Sequence, residues 1–85
     1  MNVHEAITRH TQKQHAHLER FMELENERER AIEQAVAQCA AGLPFRVDSI
    51  NAATARINSH AQKGISPTRM FVTEEMVREY AKRKV

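Results

Sequence analysis

Five histidines, eleven carboxylates and one cysteine are the side chains here that could do metal, acid–base or nucleophilic chemistry. The histidines are His4, His10, His15, His17 and His60. Two imidazoles share a metal from one helix when they stand at i,i+4, and no pair has that spacing. His10 and His17 face the same way but lie two turns apart, roughly 10 Å. His15 and His17 point to different faces, and neither HExxH nor a Glu-x-x-His pair occurs. His10 and His17 therefore read as polar members of a helix seam. Across a symmetric dimer they would form a shared metal site or a pH-sensitive contact. Spacing alone implies no cofactor and no metal.

Cys39 lies on an apolar stripe with no base nearby in sequence, so it reads as a structural thiol. A single cysteine excludes an intramolecular disulfide and a cysteine-cluster zinc site. The carboxylates crowd one helix face between Glu19 and Glu33. Acid–base work needs a concave, partly dry pocket to separate two pKa values, and a solvated face is not one. Two separated glycines cannot build a phosphate loop. The chain reads as a non-enzyme.

The elements that carry these residues are marked by Gly42, Pro44, Gly64 and Pro67, the only residues of either type. Each glycine is expected to close a helix in the left-handed conformation, with a proline soon after. Residues 2–41 contain neither and form one helix. Its seam is Val3, Ile7, His10, Gln14, His17, Phe21, Leu24, Arg28, Ile32, Ala35 and Cys39, spaced by threes and fours. Arg28 in that seam either covers apolar surface with its stem or meets a Glu across a helix pair and fixes register. Residues 49–63 form a second helix, with Asp48 as N-cap and Ile50, Ala53, Ile57 and Ala61 buried. The connector to Val72 is apolar, with Met70 and Phe71 expected as plugs. Residues 74–82 form a third helix, capped by Thr73 and stapled by Val72 and Val77. The expected core is Phe21, Leu24, Ile32, Ala35, Val36, Ile50, Ile57, Phe71, Val77 and Tyr80.

The fold class is thus all-α: a long N-terminal helix, a shorter antiparallel second helix and a short third one in a single domain. A 40-residue helix is about 60 Å long, whereas a globule of this length has a radius of gyration of about 12 Å. The shorter helices cannot cover the seam. The bundle is expected to be completed by self-association along a coiled-coil-like seam, through Val3, Ile7, His10, Gln14, His17, Phe21, Leu24 and Arg28. The partner is then the chain itself, as a homodimer or higher even-numbered oligomer, or an unidentified protein.

Composition supports a folded, soluble chain: 41% hydrophobic, 28% charged, 5% aromatic and no Trp. That excludes disorder, and it is thin for a β-sandwich or a base-stacking platform. No apolar run nears the roughly 20 residues that span a bilayer. A free thiol and no export signal point to the cytoplasm. Net charge is +2, but residues 1–42 are acidic on balance and residues 43–85 basic. Arg69, Arg78, Lys82, Arg83 and Lys84 could make a basic contact, and a small nucleic-acid-associated regulator is the alternative function. Against it, ten residues, 64–73, separate helices two and three, too many for a helix-turn-helix. Glu74, Glu75 and Glu79 would also face phosphates.

Several stretches carry a resemblance: Asn2-Val3-His4, Glu27-Arg28-Glu29-Arg30, Pro44-Phe45, Asp48-Ser49-Ile50-Asn51, Gly64-Ile65-Ser66-Pro67-Thr68-Arg69 and Val72-Thr73-Glu74-Glu75-Met76-Val77. Together, over essentially the whole chain, they resemble a family of short proteins of unknown function from spore-forming Gram-positive bacteria. The resemblance implies a bacterial, cytoplasmic, helical protein and brings no activity, ligand or catalytic residue. The expected function is a non-enzymatic helical interaction or scaffold protein that self-associates through its long helix.

Overall fold

A computed structural model describes residues 3–84, with Lys84 by its backbone only; the expected helix start at Asn2 lies outside that range. Three helices form: α1, Val3–Ala40; α2, Asp48–Ala61; and α3, Glu74–Lys84. The described residues contain no strand. Uninterrupted by Gly or Pro, α1 runs 38 residues without a break. Its length of about 57 Å sets the long axis of a molecule measuring 61 × 19 × 16 Å. The radius of gyration is 17.3 Å, well above that of a globule of this size.

Gly42 ends α1 as expected, with φ +73°. Its N–H donates to Cys39 O at 3.1 Å and the Leu43 N–H donates to Gln38 O at 2.9 Å. This pair of bonds satisfies two of the carbonyls that a helix end leaves open. Gly64 departs from expectation: among the described residues only Gly42 has positive φ. α2 instead frays through Gln62 in right-handed geometry. The requirement at Gly64 is space, because a Cβ there would sit 2.8–2.9 Å from three atoms of the His17 ring.

Asp48 is also not the cap it was expected to be. It is already the first helical residue, Val47 holds the cap position, and no side chain bonds the first turn. The Asp48 carboxylate pairs with Arg46 at 2.6 Å instead. Thr73 does cap α3, its Oγ1 accepting the Met76 N–H at 3.2 Å.

α2 and α3 both pack on α1, not on each other. α2 runs antiparallel to α1, bringing His60 to His17 and Ile50 to Ala35 and Val36. The chain then turns and returns beside α1, so α3 lies parallel to it. The core is Leu24, Ala35, Val36, Ile50, Ala53, Ile57, Val72, Val77 and Ala81, with Thr54 fully buried among them. Phe71 and Tyr80 do not belong to it, being 56% and 46% exposed, and Phe21 and Ile32 are half-buried. In an extended segment neighbours point opposite ways, so Val72 facing in turns Phe71 out. On α3 the inward residues are Val77 and Ala81, one turn apart, which leaves Tyr80 on the flank.

Candidate functional site

The most specific structure in the molecule is polar. Residues 66–73 adopt neither helix nor strand, so their backbone groups need partners from elsewhere. Side chains of α1 and α2 supply them. Gln14 Nε2 donates to Ile65 O at 2.9 Å, and Arg28 Nη2 donates to Met70 O at 3.0 Å. Asn58 grips the Arg69 backbone twice, accepting its N–H at 2.8 Å and donating to its carbonyl at 3.0 Å. Asn51 grips Val72 in the same way, at 2.7 and 2.9 Å. Each asparagine amide thus replaces one rung of a β-ladder.

The geometry explains the spacing. Asn51 and Asn58 lie seven residues apart, about 10.5 Å along α2. Arg69 and Val72 lie three residues apart, about 10 Å in an extended chain. Two helical turns therefore match three extended residues. Between Gln14 and Arg28, α1 advances about 21 Å, and the five steps from Ile65 to Met70 reach at most about 18 Å. Residues 65–73 thus form a strap that is close to fully extended, and the long Gln14 and Arg28 side chains cover the difference.

Arg28 follows neither expected reading. Its Nε donates to Thr54 Oγ1 at 2.9 Å while Nη2 holds Met70 O, so it ties α2 to the strap within one chain. The Thr54 hydroxyl in turn donates a hydrogen bond to Ile50 O at 3.0 Å. Arg69 pairs with Glu25, Nε to Oε2 at 3.1 Å, and its guanidinium lies 5.4 Å from the centre of the Phe21 ring.

At the other end of the strap the His17 and His60 rings stack, with centroids 3.8 Å apart and planes 11° from parallel. His60 Nε2 donates to the His17 carbonyl at 2.7 Å. His17 Nε2 and Ser66 Oγ are hydrogen-bonded at 2.8 Å, the tautomer setting the direction. Partial desolvation and then the charge of His60 hold the His17 imidazole below its ordinary pKa.

Of the expected seam, Leu24 is buried under α2, while Gln14, His17, Phe21 and Arg28 turn to α2 or the strap. Val3, Ile7 and His10 remain exposed. The expected basic contact is dispersed. Arg69 is engaged by Glu25, and Arg78 pairs with Glu74 at 3.1 Å beside Phe45. Lys82 and Arg83 are exposed on separate flanks of α3, and the Lys84 side chain lies outside the described residues. A different cationic hollow, lined by Arg20, Arg56, His60 and Lys63, opens between α1 and α2. Arg20 and Arg56 reach Glu23 and Glu27 there. Among the described residues no three His, Cys, Asp or Glu side chains gather as metal ligands, and no helix is long and apolar enough to cross a membrane. Cys39 is half-buried against the core.

A family model described as "Protein of unknown function (DUF2533)" matches residues 1–83. The chain is 54% identical over 81 residues to "Uncharacterized protein YpbS" of Bacillus subtilis (strain 168), covering 95% of each chain. No solved structure matches.

Proposed function

For a chain that belongs to the DUF2533 family of proteins of unknown function, we propose a non-enzymatic role as a helical interaction or scaffold protein. It self-associates through the free face of α1. The supporting observation is the N-terminal part of that helix. Residues 3–13 are exposed throughout, ahead of Gln14, which holds the start of the strap. Val3 and Ile7 there are 76% and 60% exposed. An isolated helix of this length is marginal in water, and a second chain would give it a packing surface. The free Cys39 suits a reducing compartment, and we place the protein in the cytoplasm.

Light scattering at high micromolar concentration tests this. A mass twice the 9.8 kDa of one chain, or a higher even multiple, supports the reading; 9.8 kDa overturns it. The alternative, a nucleic-acid-associated regulator, has less behind it, because Arg69 and Arg78 are engaged within the chain. A gel shift whose affinity falls steeply with salt would favour it instead.

A further inference from the structure

Two apolar surfaces of this protein share one side of α1. The first is the overhang of α1, residues 3–13, about 16 Å of exposed helix. The second is an open groove of about 280 Å³ between α1 and α3, with Ile32 and Val77 in its wall and Met76 and Tyr80 along its length. α3 is 11 residues long, the same as the overhang. Between the two surfaces on α1 stand Leu18 and Met22, both exposed. At 100° per residue, Ile7, Leu18, Met22, Glu29 and Val36 fall within about 60° of one another. One stripe therefore runs from the overhang to the groove, where Val36 at its end is already buried in the core.

We propose that a second copy of the chain docks antiparallel along this stripe, each overhang lying in the other copy's α1–α3 groove. This rests on the self-association proposed above and adds its geometry. Setting Ile7 opposite Ile32 puts the two-fold axis midway, near residues 19 and 20. Leu18 and Met22 straddle that point, so the Leu18 of each copy meets the Met22 of the other. A single operation thus covers both ends of the stripe and its centre, the isologous contact expected of a two-fold dimer.

Charge favours the same pairing. The overhang carries Arg9 and Lys13 against Glu5. Arg28, itself tied to Thr54 and Met70, and Glu29 line the groove, and Glu75, Glu79 and Arg83 line the hollow beside Met76 and Tyr80. In the antiparallel register His10 passes Glu29. A parallel pairing would instead set the acidic stretch from Glu19 to Glu33 against itself. The contact would run from residue 3 to residue 36, about 50 Å, and a helix is about 10–12 Å wide. That gives roughly 500–600 Å² per chain before α3 adds to it, the lower end of stable interfaces.

The test uses a nitroxide at Thr8→Cys in a Cys39→Ala background, read by pulsed electron spin resonance. Antiparallel docking predicts a spin–spin separation of about 35 Å along the helix axis. Parallel helices, 8–10 Å apart, would place the labels within about 20 Å of each other and overturn the inference while leaving self-association intact. No dipolar coupling, together with a monomer mass, would remove self-association itself. Ile7→Glu and Met76→Glu, both at exposed positions, separately test the groove. Each should raise the dimer dissociation constant about tenfold or more with the helical signal retained. A long spin distance with dissociation constants unmoved by either substitution would overturn occupancy of the groove.

Discussion

Asn51→Ala is the substitution that most directly probes how the strap is held. The native amide makes two bonds to Val72, accepting its N–H at 2.7 Å and donating to its carbonyl at 2.9 Å. A typical hydrogen bond contributes about 0.5–1.5 kcal/mol net, and a stranded buried group costs about 1–3 kcal/mol. Both bonds are only partly buried, so water re-enters and the cost stays well below the sum of the upper limits. We expect a loss of about 2–3 kcal/mol in urea unfolding. For 85 residues the total stability is roughly 4–13 kcal/mol, so the change is large on that scale. The same variant should speed exchange of the Val72 amide hydrogen, read residue by residue. Asn51→Asp separates the two bonds. Its carboxylate still accepts the Val72 N–H but confronts the carbonyl without a donor. Protonation restores the donor, so its deficit relative to the native protein should shrink as pH falls through about 3.9, the ordinary Asp value. A loss under about 0.5 kcal/mol for Asn51→Ala, within the range of ordinary surface changes, with Val72 exchange unmoved, would refute the latch.

Three further predictions concern packing and charge. His17 binds a proton less readily folded than unfolded, so stability should be full above its ordinary value of 6.5 and decline as pH falls below it. The cations Arg20, Arg56 and Lys63 line the hollow beside the stacked His60 ring, with Glu23 and Glu27 pairing to the two arginines; urea midpoints at pH 5 and 8 should differ less in His17→Asn. Gly64→Ala should destabilise by about 1–3 kcal/mol, the range for overpacking, because the new methyl meets the His17 ring at 2.8 Å; a Tm equal to the native one would show that the strap yields freely. Leu24→Ala should cost about 2–5 kcal/mol, whereas Phe71→Ala should stay within about 0.5 kcal/mol, and thermal melts of the pair check the inward and outward assignments.

Much of the fold is written locally. Absence of Gly and Pro before Gly42 predicts an unbroken α1, and Thr73 with Glu74 and Glu75 predicts the start of α3; both occur. The strap was not legible in the same way. Asn51 and Asn58 flank the buried stripe of α2, where periodicity counts them only as polar. Their partners are backbone groups of Arg69 and Val72, which leave no trace in residue type. Two asparagines seven apart, before an apolar connector interrupted by Gly64 and Pro67, are the signal that periodicity passes over. Gly64 misled because glycine after a helix usually marks a left-handed turn, whereas the need here comes from a ring 47 residues earlier. Phe71 and Tyr80 share an apparent helical phase with the core residues, but the strap around Phe71 is extended and Val77 and Ala81 set the inward face of α3, so both turn outward. The periodic seam puts His17 and Arg28 on a face toward a second chain, whereas the strap that meets them within the chain leaves no periodic trace.

The match between two turns of α2 and three residues of strap also dictates where this chain can change length. A residue inserted between Arg69 and Val72 would push their backbone groups about 3.4 Å further apart, while Asn51 and Asn58 stay fixed on their helix. One grip or the other must then open, and α3 arrives at the core out of phase, with Val77 and Ala81 rotated away. A deletion fails for the mirror-image reason. The turn at Leu43–Pro44 carries no such gauge: both residues are exposed, and loop closure adds only about 0.6 kcal/mol per doubling of length. Insertions should be tolerated there and rejected in the strap, so a series of single-glycine insertions scored by refolding yield would trace the ruler directly.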